Sequence, residues 1–168
     1  INRQTVETSI ELSVNLDGSG QSQIATGVGF FDHMLTLLAR HAAIDLTVRA
    51  QGDLHVDQHH TVEDVGICLG QALKKALGDK AGIRRFASGA FPLDEALVEV
   101  ALDLSGRPFV AYDVPLGEVL PLGDPPFNPE MAEHFWQSFA TQAGITLHAT
   151  LRSGRNTHHI VEATFKGV

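Results

Sequence analysis

Alternating apolar and polar residues predict the first elements of the chain. Over residues 6–16, apolar side chains and Thr8 alternate with polar neighbours, which predicts a half-buried strand. Residues 17–20 read Asp-Gly-Ser-Gly and are typical of a turn, so residues 21–25 are predicted to return as the hairpin partner of that strand. The pattern then predicts a loop over 27–31, a helix over 32–40, a strand over 44–50 and a helix over 61–77 that Gly78 ends.

The second half of the chain follows the same plan. It predicts a strand over 96–104, a turn over 105–108, a return strand over 109–114, a Pro- and Gly-rich loop over 116–129, a helix over 130–142, a strand over 145–151, a loop over 152–156 and a last helix from 158. Each half is therefore predicted to be a small sheet with two helices on one face, an α+β layer arrangement. The other sheet face still needs cover, which favours assembly.

One motif occurs twice, and the repeat extends to its surroundings. His59-His60-Thr61-Val62-Glu63 returns as His158-His159-Ile160-Val161-Glu162. An acid–His pair precedes each copy, with 26 positions from His33 to His59 and 24 from His134 to His158. Order and spacing together indicate an internal duplication. We therefore expect 1–168 to be a single catalytic domain made of two similar halves, about 1–90 and 91–168.

Composition narrows the class of protein. With 168 residues, 43% of them hydrophobic, the chain can bury one sizeable core. The net charge of −8 without a basic run argues against nucleic acid and against an anionic membrane surface as partners. The one cysteine, Cys68, excludes an internal disulfide and fits a reducing, cytoplasmic compartment. We see no signal peptide and no apolar run of about 20 residues, and treat the chain, which begins at Ile1, as a segment of a longer product.

The repeated motif supplies residue types that bind metals. A single His pair is most often two solvated side chains, but its recurrence at equivalent places favours a metal site. On a helix, His59 and Glu63 lie on one face, whereas His60 is rotated by about 100°. Each motif is therefore expected to serve two metals, and sites built between subunits become plausible. The candidate ligands, three His and one Glu for each of two metals, are His33, His59, His60, Glu63, His134, His158, His159 and Glu162.

This set of ligands does not decide which metal binds. Three nitrogens and one carboxylate suit Mn²⁺, Fe²⁺ or Zn²⁺, with open positions on a six-coordinate ion, and affinity order alone favours Zn²⁺ over Mn²⁺. The chain has no Cys-rich quartet, which argues against a closed structural zinc site. Each histidine at a helix start should donate its other N–H to an acceptor, for which the candidates are Asp32, Asp57, Asp64 and Glu133.

Several long motifs resemble one known family. The segments that carry the resemblance to imidazoleglycerol-phosphate dehydratase are Gly29-Phe30-Phe31-Asp32-His33-Met34-Leu35, Gly52-Asp53, Asp57-Gln58-His59-His60-Thr61-Val62-Glu63-Asp64, Leu102-Asp103-Leu104-Ser105-Gly106-Arg107-Pro108 and His158-His159-Ile160-Val161-Glu162-Ala163. The resemblance runs from the N-terminal strand to Lys166. It implies a manganese enzyme of histidine biosynthesis that dehydrates imidazole glycerol phosphate to imidazole acetol phosphate. It also implies a 24-subunit shell built from trimers, and a duplicated fold resembling the second domain of ribosomal protein S5.

The resemblance also implies a mechanism and further site residues. Two Mn²⁺ per active site, holding the substrate's imidazole, would stabilise an imidazolate whose electrons expel the hydroxyl and give a diazafulvene-like intermediate with an acidic neighbouring C–H. The implied base is Glu7, expected on the first strand. Arg84 is expected to be a surface charge, and the family continues into a basic tail near the substrate, whereas this chain stops at Val168. The implied substrate and phosphate contacts are Arg85, Arg107, Lys166 and His41.

Two other classes of function use the same residues. A di-metal hydrolase would activate water with these ligands, would turn over phosphate esters and would not need an imidazole group. A metal-binding shell without catalysis would keep the ligands but would have no use for Arg85, Arg107 and Lys166 near them. Metal analysis combined with turnover of imidazole glycerol phosphate separates the three.

Overall fold

Eight strands and four helices make up the part of the chain that the computed structural model describes, residues 1–117 and 119–168. The first half contains β1 (Asn2–Gln4), β2 (Thr8–Asn15), β3 (Ser22–Ala25), α1 (Gly29–His41), β4 (Asp45–Gly52) and α2 (His59–Leu77). The second half contains β5 (Phe86–Leu93), β6 (Ala96–Asp103), β7 (Phe109–Asp113), α3 (Met131–Ala143), β8 (Thr146–Ser153) and α4 (Thr157–Gly167). Within these described ranges, no helix has both the length and the apolar character needed to cross a membrane.

Each half forms one four-stranded sheet, and the two sheets have equivalent strand orders. The first runs β1-β2-β4-β3 and the second β5-β6-β8-β7. In each sheet the last pair of strands is parallel, and the other pairs are antiparallel. The predicted α+β class and internal duplication are confirmed, because the same elements recur in the same order with the same pairing.

The predicted hairpin partner of the first strand is wrong. Residues 21–25 contain β3, which pairs in parallel with β4, while β4 lies beside β2 along its whole length. Parallel neighbours need a crossover connection, and α1 provides it. The Asp45 carboxylate at the start of β4 accepts hydrogen bonds from the backbone N–H groups of Ser19 and Gln21, at 2.8 and 3.0 Å, and so fixes the turn against β4. The return strand of the second half, β7, is likewise parallel to β8.

Two strands and one helix start were missed. The helix α1 begins at Gly29 inside the predicted loop over 27–31, since Phe30 and Phe31 are buried on its inner face. The short edge strand β1 and the whole of β5 have no predicted counterpart. Because β5 pairs with β6, the second sheet begins at Phe86, slightly before the expected division near residue 90.

The long loop predicted over 116–129 contains turns and one isolated bridge between Leu122 and Phe127. Glu118, within that predicted loop, lies outside the described residues. Phe127 is fully buried and packs against Phe30 and Phe31, with ring centroids 5.3 and 6.0 Å away. The loop therefore covers the first turns of α1.

Close helix packing joins the two halves. A Cβ atom on Gly66 of α2 would lie 2.9 Å from the carbonyl oxygen of Phe135 in α3, and Gly70 faces Phe139 in the same way one turn later. The two helices therefore run in the same direction and bring their N-terminal ends together. Around them, a continuous core contains the fully buried side chain of Trp136. This packing places the N-terminal residues of helices from opposite halves side by side.

Candidate metal centre

The first group of candidate ligands combines α1 with α4. The Nε2 atoms of His33 and His158 lie 3.4 and 3.1 Å from Oε2 of Glu162. Ligand atoms of these three residues all lie within 4.8 Å of one another, a separation that one ion can span. We call this group the Glu162 set.

The carboxylate of the Glu162 set remains ionised although it is 8% exposed. Burial alone would raise the pKa of Glu162, but hydrogen bonds from Lys166 and His158 outweigh burial and hold that pKa below its usual value. The Lys166 ammonium lies 2.5 Å from Oε1 of Glu162, one turn along the same helix. Lys166 is therefore the one predicted phosphate contact that lies directly beside the candidate ligands in this chain.

The second group combines α2 with α3. Nε2 of His59 lies 4.0 Å from Oε2 of Glu63, and the ring of His134 lies 4.8 Å from the ring of His59, centroid to centroid. The Glu63 side chain is 45% exposed, against 11% for its counterpart Glu162. This group, the Glu63 set, is wider and more open to solvent than the Glu162 set.

Each set crosses the internal repeat. The motif of the second half, on α4, receives its extra histidine from the first half, and the motif on α2 receives His134 from the second half. The linear repeat alone did not predict this exchange. It follows from the packing of α2 against α3 and of α1 against α4, which pairs helices from opposite halves.

The remaining two histidines point away from their own sets. The rings of His59 and His60 lie 6.3 Å apart with 71° between their planes, and those of His158 and His159 lie 6.1 Å apart with 79°. Six of the eight predicted ligands thus form two groups of three. His60 and His159 belong to neither group.

Two carboxylates that were not predicted as histidine partners contact these outward histidines. Nδ1 of His60 lies 3.0 Å from Oδ2 of Asp53, and Nδ1 of His159 lies 2.8 Å from Oε2 of Glu95. These contacts raise the pKa of both imidazoles. The hydrogen bond from His159, together with backbone N–H donors, lowers the pKa of Glu95 to about 2.

None of the four predicted acceptors bonds a histidine ring in the part of the chain that the structure describes, so that prediction is wrong for the histidine rings. Asp32 accepts from Thr26, Asp57 accepts from the backbone N–H of His59, Asp64 accepts from Arg3 and Thr8, and Glu133 accepts from Gln137. Adjacency in sequence was the wrong guide, because Asp53 and Glu95 approach from the turns that follow β4 and precede β6. The Gly52-Asp53 motif was the only available signal.

The predicted base lies in a turn rather than on a strand. Glu7 sits in the bend between β1 and β2, with an exposed side chain. Its backbone N–H donates a hydrogen bond to Oγ1 of Thr5 at 3.1 Å, which fixes the main chain there. The charge of Glu7 also contributes, after the Asp53 contacts, to the raised pKa of His60. Glu7 is therefore close to an outward histidine and free to meet a bound molecule.

The other predicted phosphate contacts make no hydrogen bond or ion pair with either set among the described residues. Arg85 makes two hydrogen bonds to Asp103, at 2.6 and 3.0 Å, and these bonds hold the pKa of that carboxyl below its usual value. Arg107 is exposed, and its charge also favours ionised Asp103. Asp103 ends β6, whereas Glu95 precedes it, so roughly 23 Å of strand separates the arginines from His159. His41 is exposed at the end of α1, about 12 Å along that helix from His33.

The donor chemistry fits a divalent transition metal. Each set offers two imidazole nitrogens and one carboxylate, a combination that Mn²⁺, Fe²⁺ and Zn²⁺ accept, and leaves coordination positions for other ligands. The described residues include no cysteine near either set, since Cys68 is buried inside α2 and burial raises the pKa of its thiol to about 11. The arrangement is suited to Lewis-acid chemistry rather than to a closed structural site.

Known proteins are similar in sequence to this chain over nearly its whole length. A family model described as imidazoleglycerol-phosphate dehydratase matches residues 26–168. A protein of that name from Granulibacter bethesdensis is 59% identical over 168 residues, which cover 100% of this chain and 84% of that protein. Another, from Acetivibrio thermocellus, is 58% identical over 166 residues, which cover 99% and 84% of the two chains.

Solved structures share the fold. The crystal structure of imidazoleglycerol-phosphate dehydratase from Staphylococcus aureus superposes with a TM-score of 0.85 at 38% identity, covering 99% of this chain and 91% of that one. The enzyme from Pyrococcus furiosus gives a TM-score of 0.83 at 35% identity, covering 99% and 88%. These matches confirm the resemblance that the motifs indicated. The chain therefore belongs to the imidazoleglycerol-phosphate dehydratase family.

Proposed function

We propose that this protein dehydrates imidazole glycerol phosphate to imidazole acetol phosphate in histidine biosynthesis, as a manganese-dependent lyase formed by a single catalytic domain. The observation that carries the proposal is the pair of crossed His–His–Glu sets, one for each half of the repeat, in a chain of this family. In the proposed reaction, each of the two nitrogens of the substrate's imidazole ring would bind one metal ion, so two metal sites are needed. The compact Glu162 set and the wider Glu63 set would supply them.

Two Mn²⁺ per active site would use the ligands of both sets. His33, His158 and Glu162 would hold one ion, and His59, Glu63 and His134 the other, with the outward His60 and His159 supplying further nitrogens from neighbouring subunits. Bound there, the ions would supply Lewis-acid stabilisation of negative charge on the substrate's imidazole ring. The donor types support this assignment, and the metal itself is part of the proposal.

The reaction needs one base from the chain. The C–H that must lose its proton has no carbonyl beside it, so it would become acidic only after the ring, as an imidazolate, has expelled hydroxide from the carbon attached to it. That hydroxide would leave as water with the proton given up by the ring nitrogen. The resulting diazafulvene-like intermediate would give its C–H proton to Glu7, and the enol so formed would become the ketone. The exposed position of Glu7 and its closeness to His60 support this role.

The phosphate would be bound by cations from more than one chain. Lys166 lies at the Glu162 set, whereas Arg85 and Arg107 lie at the far end of β6. His41 is a further substrate contact in the proposal. Asp103 already binds the Nε and Nη2 edge of the Arg85 guanidinium. The exposed guanidinium of Arg107 is therefore the better phosphate ligand.

Replacing Arg107 by alanine should therefore raise KM by roughly 10- to 100-fold, the size of a lost hydrogen bond to a charged group, with a smaller loss of kcat. Bound metal should stay unchanged. Arg84→Ala is the matched control, an exposed arginine in the segment before β5. Steady-state kinetics and metal analysis of both variants decide the assignment. Loss of metal, or weaker binding of an imidazole compound without a phosphate, would count against a phosphate contact.

The proposed assembly is a 24-subunit shell built from trimers, with sites shared between subunits. Two features support shared sites. His60 and His159 face away from the sets of their own chain, and the arginines and His159 lie at opposite ends of β6, a strand about 23 Å long. A complete site with all these groups needs residues from neighbouring copies.

Metal removal should accordingly dissociate the assembly into smaller particles. In the proposal, ligands from neighbouring subunits bind the same ion, so that ion helps to join the subunits. Light scattering with size-exclusion chromatography before and after chelation measures this, and addition of Mn²⁺ should restore the large particle. A 24-subunit species that persists unchanged without metal would contradict metal-dependent assembly.

The proposed activity has a direct assay. Purified protein with a measured metal content is offered imidazole glycerol phosphate, and imidazole acetol phosphate is quantified. Hydrolysis of simple phosphate esters without dehydration would indicate a di-metal hydrolase, and bound metal without any turnover would indicate a binding shell.

We place the enzyme in the cytoplasm, a compartment in which the buried free thiol of Cys68 stays reduced.

A further inference from the structure

The Glu95 carboxylate has three hydrogen-bond donors at fixed positions. Oε2 lies 2.8 Å from Nδ1 of His159, and Oε1 accepts from the backbone N–H groups of Asn156 and Arg155 at 2.8 and 3.2 Å. Glu95 belongs to the two-residue turn between β5 and β6, where Asp94 has a φ of +47°. The turn and the loop before α4 therefore lock the carboxylate against the imidazole.

Asp53 makes a simpler contact with the other outward histidine. Its Oδ2 lies 3.0 Å from Nδ1 of His60. Its Oδ1 is buried and has no hydrogen-bond partner among residues 1–117 and 119–168. One carboxylate oxygen thus serves the histidine, and the other serves nothing else that is described.

We propose that Glu95 and Asp53 are positioning residues that hold His159 and His60 protonated at Nδ1, so that Nε2 of each remains the metal-binding nitrogen. An ionised carboxylate only accepts hydrogen bonds, so the ring nitrogen that faces it must carry the proton. In a neutral imidazole the other nitrogen then has the free lone pair that a metal needs. The inference rests on the proposed function, because it assigns Nε2 to a metal.

The two contacts are not copies of each other. Glu95 directly precedes β6, and the matching position before β2 is Glu7, which does not make the contact to His60. Asp53 directly follows β4, and the matching position after β8 is Gly154, which has no side chain. Equivalent histidines thus meet a carboxylate at the same ring nitrogen through unrelated positions. If these contacts were only a consequence of the duplication, the carboxylate would come from the equivalent position in both halves.

The surroundings of Nε2 are consistent with a free nitrogen. Nε2 of His159 lies 3.9 Å from Oδ2 of Asp94, beyond hydrogen-bond distance, and that carboxylate is 76% exposed. It adds negative charge where a cation would approach without occupying the lone pair.

Amide substitution distinguishes the two sites. In Glu95→Gln, the single amide oxygen is needed by the backbone donors of Asn156 and Arg155, so the NH₂ group turns towards Nδ1 of His159. His159 must then accept at Nδ1 and carry its proton at Nε2. In Asp53→Asn, Oδ1 has no described donor to satisfy, so the amide oxygen can remain on His60 and preserve its tautomer.

The test reads tautomers and metal affinity separately. Imidazole ¹⁵N shifts of metal-free protein, at a pH where the rings are neutral, identify the protonated nitrogen, with His159→Gln and His60→Gln for assignment. We expect Nδ1–H on both histidines of the wild type, a change to Nε2–H on His159 in Glu95→Gln, and no change on His60 in Asp53→Asn. Mn²⁺ titration should show affinity lower by roughly 10- to 100-fold in Glu95→Gln, with a smaller loss in Asp53→Asn.

The outcomes separate this inference from the proposed function. A wild-type His159 protonated at Nε2, or a Glu95→Gln variant with unchanged tautomer and unchanged Mn²⁺ affinity, overturns the positioning role. A merely structural role for Glu95 would alter thermal stability without inverting the tautomer. Absence of Mn²⁺ binding by the wild type would refute the metal-dependent function, and the metal-free tautomers would still decide whether Glu95 and Asp53 set the protonated nitrogen.

Discussion

His60→Ala should lose bound metal and turnover together. His60 belongs to neither set within its own chain, yet it has the donor atom, the carboxylate partner Asp53 and the outward direction that a shared ligand requires. Removing one nitrogen from a four-ligand site leaves an ion held too weakly to act on the substrate. Metal analysis beside steady-state kinetics measures both losses, with turnover expected to fall below detection. His55→Ala, an exposed histidine in the turn before α2, is the control and should behave as wild type.

Mixing variants tests whether that site is shared. His60→Ala keeps an intact Glu162 set, whereas His158→Ala loses that set and keeps His60. Each variant alone should be inactive, but particles dissociated, mixed and reassembled with Mn²⁺ should regain a fraction of the activity, because some sites then combine one intact set with one intact His60. Recovery that never exceeds the sum of the separate variants, in particles shown to contain both, would contradict ligands shared between subunits.

Sequence patterns predicted those parts of the fold that depend on local chemistry. The four helices and the strands β2, β4, β6 and β8 follow from apolar periodicity, since each presents one regular face to the core. Strand β5 was missed because its run of Ser88, Gly89 and Ala90 has no strong alternation, and its place depends on pairing with β6. The strand order could not be predicted from the sequence either. The parallel pairing of β3 with β4 depends on a crossover connection that no local sequence signal specifies.

In the candidate site too, the sequence predicted the local features but not those that depend on tertiary contacts. A repeated motif of unusual spacing was enough to nominate the ligands, because imidazole and carboxylate at i and i+4 share a helix face. Their grouping into two crossed sets needed the contacts between helices of opposite halves. Glu95 was missed because it lies 64 positions from the histidine it contacts, and only the folded turn brings them together. Asp53 stood in a quoted motif, but its contact with His60 was not predicted.

Glu7→Gln should cut kcat by roughly 10²–10⁴-fold, the usual contribution of a positioned general base, while bound metal and substrate affinity stay close to wild type. Glutamine keeps the size of the side chain and removes its basicity. The main chain should not move, because the hydrogen bond that fixes it is donated by the backbone N–H of residue 7 to Thr5.

Glu11→Gln is the matched control for that loss. Glu11 is an exposed carboxylate on β2, close to Arg49, and it lies on the sheet face opposite the buried Ile10 and Leu12, so its neutralisation should leave kcat unchanged. The rate on imidazole glycerol phosphate, metal content and the affinity of an unreactive imidazole phosphate compound are measured for both variants. A Glu7→Gln protein that turns over at the wild-type rate would exclude Glu7 as the base, and one that loses metal would make Glu7 part of the metal site instead. A slow variant with intact metal and intact affinity leaves proton transfer as the step that Glu7 performs.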